Sequence, residues 1–411
     1  MMLWLLHFAL GISSGLPLLL TSSTLQAWMT DQKVDLKAIG LFALVGIPSS
    51  LKFLWAPFMD RYSLPFLTKR RGWMIGTQVL LALAILGLGY TDPLNSPVKT
   101  AFFALLVSFM SASQDVVIDA YRTESLNGKK LGMATSSYIT GYRVGMLMAG
   151  AGSLFIVDHY HFSWAEIYTV MSLLLSIGVV AAFFAPEQPN VPKPQTLTQA
   201  VVEPFLDFFK RPQAPWLLFF IIFYKFGDNL AGAMTTPFIL KIGYTKTEYA
   251  FVAKGAGFFA VLAGGFLGGP LMLRLGIIRS LWVFGVGQAI AVAGFAVLAS
   301  VGHSMGVLSG VIVSENFFIG CGAAAFTAFL SSITNKKFSA TQFAVLTSLM
   351  ALSRSVLSTP SGWLAERLGW QTYFLMCVCL AIPGLLLLVK IQESVKKTET
   401  ADVAADFTSS H

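Results

Sequence analysis

Apolar residues run along this chain in stretches of about twenty, broken by short polar joints. A bilayer core about 30 Å thick is crossed by a helix of roughly 20 apolar residues, so each stretch predicts one spanning helix. The stretches fall at about Leu3–Met29, Leu36–Met59, Trp73–Tyr90, Val98–Arg122, Gly132–Val157, Ser163–Ala185, Ala214–Leu240, Glu248–Leu273, Ile277–Ser300, Ser304–Ile333, Phe338–Ala365 and Trp370–Lys390. The expected fold is all-α and polytopic, with about twelve transmembrane helices. Leu3–Met29 lacks a basic leading region, is too long for the apolar part of a cleaved signal and runs into the charged turn Asp31–Lys37. It reads as the first span.

Composition strengthens this reading. Hydrophobic residues make up 55% of the 411 positions and charged residues 12%, with a mean hydropathy of +0.70, a balance foreign to soluble domains of this size. Cys321, Cys377 and Cys379 lie inside predicted helices without zinc-type spacing or histidine neighbours, so they read as small packing residues. The net charge of +8 follows topology rather than forming a nucleic-acid face. With both termini inside, the cytoplasmic joints collect most basic residues, including Arg61, Lys69, Arg70, Arg71, Lys129, Lys130, Lys336 and Lys337. The opposite side keeps Lys33, Lys37, Lys99, Lys241, Lys246 and Arg367. That bias predicts the orientation.

The chain is expected to divide into a six-helix bundle over 1–185, a cytoplasmic linker over 186–213, a second six-helix bundle over 214–391 and a disordered polar tail over 392–411. The linker is proline-rich at Pro186, Pro189, Pro192 and Pro194, then amphipathic through Thr196–Lys210. Its apolar face of Val201, Val202, Phe205, Phe208 and Phe209 suits either the inner membrane surface or packing on the protein. An internal repeat supports six helices plus six. Lys129-Lys130 lead into a helix bearing Arg143, followed by Trp164 and Tyr168; Lys336-Lys337 lead into one bearing Arg354, followed by Trp370 and Tyr373. Two such halves in one orientation are the arrangement of major facilitator transporters, with the substrate site near the midplane.

A charge at the bilayer centre costs about 2.5–3.5 kcal/mol even on insertion scales, so intramembrane ionisable residues are functional candidates. Here they are Lys52, Asp115, Asp119, Arg143, Lys225, Asp228, Lys254, Glu315 and Arg354. Asp115 and Asp119 stand four apart on one helical face, where proximity and burial favour a carboxyl that titrates and carries a proton. Asp119 could instead pair with Arg122 or Arg143. Lys225 reads as a further substrate-binding cation and Asp228 as a further proton-coupling acid; three apart, they are alternatively placed to neutralise one another. Lys52, Lys254, Arg143 and Arg354 have no partner at helical spacing and point to an anionic substrate. The planar forks of Arg143 and Arg354 suit opposed carboxylate or phosphate clamps, one per half. Glu315 reads as a second proton site or the partner of a lysine.

Met59-Asp60-Arg61-Tyr62, followed by Lys69-Arg70-Arg71-Gly72, reads as a gate latch, because topology alone explains the basic residues but not Asp60. Glycines at 141, 145, 150 and 152, and again at 255, 257, 264, 265, 268 and 269, permit close helix contact. Trp28, Trp55, Tyr138, Tyr142 and Tyr224 offer stacking surfaces for a sugar or peptide, or interface anchors. His7, His159, His161 and His303 lie near helix ends and read as ordinary. There is no phosphate-cradling loop, nucleophile elbow or metal-type histidine pair, so the chain reads as a transporter rather than an enzyme.

Several blocks in order closely resemble the muropeptide permeases of the AmpG type. They are Gly15-Leu16-Pro17 with Leu25-Gln26-Ala27-Trp28-Met29, Lys52-Phe53-Leu54-Trp55-Ala56-Pro57, Met59-Asp60-Arg61-Tyr62 and Arg70-Arg71-Gly72-Trp73. Ser113-Gln114-Asp115 with Asp119-Ala120, Gly141-Tyr142-Arg143 with Gly145-Met146, Tyr224-Lys225 with Gly227-Asp228, and Ser339-Ala340-Thr341-Gln342-Phe343-Ala344 continue the likeness over almost all of Leu3–Val389. The resemblance implies proton-driven import of N-acetylglucosaminyl-1,6-anhydro-N-acetylmuramyl peptides across the inner membrane of a Gram-negative bacterium, serving cell-wall recycling and β-lactamase induction. The expected partners are this anionic glycopeptide, protons and lipid, with no cofactor beyond the proton gradient, no nucleic acid and a monomeric chain. Longer members of that family continue into two further helices outside the bundles, which leaves a short paralogue with altered substrate as an alternative. A drug exporter of the same fold would favour acids over cations in its cavity. A membrane-embedded transferase would have only Asp115/Asp119 as an acidic pair.

Overall fold

The computed structural model describes residues 2–64, 68–186, 194–245, 248–249 and 251–408. Within these limits a few side chains are outside the description, among them Lys37, Lys254, Arg354 and all from Glu393 onward. Pro189, Pro192 and Lys193 of the linker and Lys246 also lie outside the described residues.

Among the described residues, ten helices are long and apolar enough to cross a membrane: α1 (Leu3–Asp31), α3 (Lys69–Gly89), α4 (Pro97–Ser125), α5 (Gly128–Tyr160), α6 (Trp164–Phe184), α8 (Ala214–Lys241), α9 (Phe251–Leu275), α10 (Ile277–Val301), α11 (Met305–Ser332) and the first part of α13 (Trp370–Thr408). Two predicted spans are interrupted. The stretch 36–61, here α2, alternates short helices with 3₁₀ turns at Phe42–Gly46 and Lys52–Leu54. The cause is local: Pro48 and Pro57 occupy the first turns of the helical pieces Ile47–Leu51 and Ala56–Arg61, where a missing N–H and fixed φ restart a helix but cannot continue one. In α12, Ser339–Leu357 stops before Pro360 and Ser361–Leu368 resumes. Leu197–Phe209, here α7, is the amphipathic linker helix. It exposes Val201, Val202, Phe205, Leu206 and Phe209, but Phe208 turns inward at 6% exposure, beneath the Arg211 guanidinium. The expected apolar face therefore loses Phe208 and gains Leu206. α13 runs to Thr408, into the polar segment whose composition predicts no structure.

The described chain forms two compact units. The first comprises Met1–Ser125, Ser137–Pro204 and Thr334–Ser348; the second comprises Leu126–Ser136, Phe205–Ile333 and Leu349–His411. The starts of α5 and α12 are thus exchanged relative to the two halves of the sequence.

In the first unit, α1 and α5 pack backbone to backbone. A side chain on Gly141 would collide with the Phe8 carbonyl, and one on Gly15 with the Tyr142 carbonyl. In the second, Gly264 and Gly320 bring α9 and α11 together in the same way, against the carbonyls of Phe317 and Val261. Each unit also carries one matching hydrogen bond. The Tyr168 hydroxyl donates to the Leu20 carbonyl at 2.7 Å in the first unit, and Tyr373 donates to the Leu230 carbonyl at 2.7 Å in the second. These tyrosines are the aromatic pair of the sequence repeat.

Candidate functional site

Among the described residues, three groups of buried charge stand out, two in the first unit and one in the second. In the first, the helical repeat of α4 places Asp115, Asp119 and Arg122 along one side. Arg122 Nη2 donates to Asp119 Oδ1 at 2.6 Å, an i,i+3 pair. Arg122 is fully buried, and its guanidinium covers the Tyr138 ring at 4.7 Å and the Phe343 ring at 5.8 Å. Its Nε and Nη1 have no hydrogen-bond partner among the described residues. Asp119 therefore pairs with Arg122 and not with Arg143.

Asp115, one turn earlier, has no guanidinium against it. The Tyr138 hydroxyl donates to it at 3.5 Å, Ser14 adds a second hydroxyl, and the Lys52 ammonium lies within electrostatic range. Lys52 itself sits on the 3₁₀ turn of α2, half-buried, with no ion pair among the described residues. The prolines that interrupt α2 thus also set its position. Gln114 fastens α4 to α1 through Ser13 at 3.1 Å and Ser14 at 3.2 Å.

Arg143 on α5 is partly buried and makes no ion pair among the described residues, with Tyr142 as its electrostatic neighbour. Of the aromatic candidates, Trp28 and Tyr138 are core residues at 3% and 5% exposure, and Trp55 donates its indole N–H to Ser113 at 3.0 Å. The Tyr142 ring stands 6.4 Å from that of Tyr138.

The ionic network around Asp60 is built differently from its sequence pattern. Arg70, rather than Arg61, is its main cation, with Lys69 Nζ 3.9 Å from Asp60 Oδ1. Arg70 Nη2 donates to Asp60 Oδ1 at 2.7 Å, its Nε and Nη2 meet Glu124, and Nη1 donates to the Met59 carbonyl at 2.9 Å. Asp60 in turn accepts from the Thr341 N–H at 2.8 Å, the Thr341 hydroxyl at 2.7 Å and the Ala340 N–H at 3.2 Å. A carboxylate on the free N–H groups of a helix start is favourable for both hydrogen bonding and dipole. Asp60 and Arg70 are 0% and 4% exposed, so the network is desolvated and fastens the start of α12 to α2, α3 and α4. Arg61 stacks over Tyr62, and Arg71 stacks over Phe183 and donates to its carbonyl; neither joins the network. Glu124, Ser339 and Thr341 were not predicted as gate residues. The available signals were an acid at the basic end of a span and a Ser-x-Thr at a helix start.

In the second unit, α8 breaks at Tyr224-Lys225 and resumes at Phe226. The break lets Lys225 Nζ turn to Asp228 Oδ2 at 2.9 Å, with both side chains 16–19% exposed. Gly322 on α11 leaves the space: an added Cβ would stand 3.2 Å from the ammonium. Glu315, also on α11, is 6% exposed and feels the charge of Asp228. Tyr224 is core rather than an open stacking face. Its hydroxyl donates to the Leu281 carbonyl at 2.8 Å, and its ring lies flat against Phe326 at 5.3 Å. The side chains of Lys254 on α9 and Arg354 on α12 lie outside the described part. Among the described residues, no group of His, Cys, Asp and Glu could hold a metal ion.

Comparison with known proteins places this geometry. The sequence profile of the Major Facilitator Superfamily matches residues 3–358. The anhydromuropeptide permease of Escherichia coli (strain K12) is 41% identical over 395 residues, covering 96% of this chain and 80% of that one. Transporter AmpG 4 of Rickettsia conorii is 33% identical, covering 94% of this chain and 96% of the relative. Among solved structures, the proton:xylose symporter XylE superposes with a TM-score of 0.72 at 14% identity, over 95% of each chain. A bacterial homologue of the iron transporter ferroportin gives 0.67 at 16% identity, over 95% and 98%. At such identities these structures establish the fold alone. The described helices, the profile match and the identity to the permeases lead to one assignment: the chain is a multi-pass membrane transporter that belongs to the AmpG-type muropeptide permease family of the Major Facilitator Superfamily.

Proposed function

We propose that this protein imports anionic anhydromuropeptides across the inner membrane toward the cytoplasm, driven by the proton gradient, by alternating access. The observation that carries the cargo is the 41% identity to the E. coli anhydromuropeptide permease across 96% of the chain. The charge pattern supports its sign. Such a glycopeptide bears several carboxylates, and Arg143 and Lys52 are cations without an ion pair among the described residues. Arg354 and Lys254 are assigned the same role in the second half on sequence grounds.

The proton step is assigned to Asp115. Asp119 already faces the Arg122 guanidinium at 2.6 Å, so the pair is neutral as it stands. Asp115 faces two hydroxyls, the Lys52 ammonium and the Asp119 carboxylate, with no ion pair of its own among the described residues, so binding a proton there changes the local charge balance. Glu315 beside Asp228 is the counterpart in the second unit. The Asp60–Arg70–Glu124 network serves as the cytoplasmic gate latch. Both termini are assigned to the cytoplasm from the distribution of Lys and Arg.

The test is uptake of labelled anhydromuropeptide into proteoliposomes under an imposed pH gradient. Accumulation above empty vesicles that a protonophore abolishes is expected. No accumulation would reject the cargo, and accumulation indifferent to the protonophore would reject the coupling.

A further inference from the structure

The outer side of the second unit carries a groove of about 330 Å³ between α8 and α13, lined by Trp216, Phe219, Phe223, Leu386, Leu387 and Lys390. Its origin lies in how the two helices meet. At their closest approach they touch almost without side chains: a Cβ on Gly384 would lie 2.6 Å from Tyr224 Cα, and one on Gly227 would strike the Cys377 carbonyl. Toward the ends of the helices, Trp216 and Lys390 stand between them instead, with the ammonium 4.0 Å from the indole ring centroid. Phe219 and Leu386, 51% and 60% exposed, floor the groove with apolar surface that opens outward within the spans.

The polar end is specific in sign. Lys390 is exposed and has no carboxylate partner among the described residues, and no acidic side chain lines the groove. Nor has the Trp216 indole N–H an acceptor among the described residues. One end of the groove thus offers two donors and a positive charge at the edge of a span, and the rest offers hydrocarbon contact. A basic, aromatic-edged cleft between spanning helices matches a lipid with a negative headgroup. It places no carboxylate against the cationic half of a zwitterionic one.

We propose that this groove binds one anionic phospholipid, with an acyl chain along Phe219, Phe223, Leu386 and Leu387 and the headgroup phosphate on Lys390. The site is independent of the cargo reading, because its readout is lipid retention and not transport. The experiment is native mass spectrometry of the full-length purified protein, titrated in detergent with phosphatidylglycerol or with phosphatidylcholine of the same acyl chains. Wild type is expected to retain one phosphatidylglycerol in preference to phosphatidylcholine. One Lys at a membrane surface contributes about 1 kcal/mol toward an anionic lipid, so Lys390→Gln should weaken phosphatidylglycerol binding about fivefold and leave phosphatidylcholine unchanged. Leu386→Trp, which fills the groove, should reduce retention of both. Equal retention of the two lipids by wild type overturns the proposal whatever the variants do. Undiminished phosphatidylglycerol binding by a monodisperse Lys390→Gln protein overturns it as well.

Discussion

The two units share a scaffold and differ in charge. Each ties the first helix of its half of the sequence to the sixth through one buried tyrosine hydroxyl, Tyr168 on Leu20 and Tyr373 on Leu230. On that common frame the first unit carries two separate ionic groups along α4: Asp119 with Arg122, and Glu124 with Arg70 and Asp60. Among the described residues, the second carries the partly buried lysine pair Lys225–Asp228 at a helix break, with Glu315 close by, besides the more exposed pairs Arg211–Asp207 and His303–Glu248. Arg70 in the first unit meets Asp60 and Glu124 from two elements at once through a planar fork that a lysine lacks. The first unit is thus built to hold segments together through charge, and the second to keep a compact ion pair within one helix.

The comparison is broken most severely by removing Arg70. Among the described residues, Arg70→Ala leaves Glu124 buried without a cation and Asp60 with only the more distant Lys69 ammonium at 3.9 Å, a defect worth about 3–5 kcal/mol. A marked fall in thermal midpoint of the purified protein is expected, with Arg70→Lys intermediate because it keeps the charge but not the fork. A midpoint within a degree of wild type would show that the network is not structural. Asp115→Asn acts on function instead. It should abolish gradient-driven accumulation while leaving counterflow exchange, and an unchanged protonophore response in that variant would move the proton to another acid.

Arg143→Ala tests the unpaired cation of the first unit. A charge-assisted hydrogen bond to a substrate carboxylate is worth about 1.5–3 kcal/mol, so affinity for the peptide-bearing cargo should fall roughly ten- to a hundredfold. The bare anhydrodisaccharide should be much less affected. Equal losses for both would make Arg143 a structural residue.

Much of this was legible before the structure because a membrane imposes simple rules. Apolar length located the spans, and the cost of charge in hydrocarbon singled out Asp115, Asp119, Lys225, Asp228 and Glu315. Helical spacing offered Lys225–Asp228 as a pair, while Asp119 was left between Arg122 and Arg143 until the structure placed Arg122 on it. What escaped was non-local or non-periodic. Arg70 displaced Arg61 in the latch because Arg61 stacks on its own neighbour Tyr62, while Arg70 reaches Glu124, 54 residues away. Thr341 reaches Asp60 across 281 residues, through a backbone N–H that no side-chain pattern records. The breaks in α2 were visible as Pro48 and Pro57, yet an apolar window averages over them. Tyr224, offered by the sequence as a stacking surface or interface anchor, is core for a related reason: its partners Phe326 and Leu281 belong to other helices.

The smallest effect concerns the pair that the second unit keeps to itself. Lys225 and Asp228 are partly solvated, at 19% and 16% exposure, so their interaction is far weaker than that of a dry pair. A double-mutant cycle with Lys225→Met and Asp228→Asn should give a coupling energy of about 1 kcal/mol in thermal stability. Each single variant removes half of the pair, and only the double variant is balanced, so the double should melt close to the better single. If Lys225 also meets the cargo, Lys225→Met should weaken substrate binding more than Asp228→Asn does, although both lose the same ion pair. Identical binding in the two single variants would confine Lys225 to its pairing role and leave the unpaired cations as the sites for the anionic cargo.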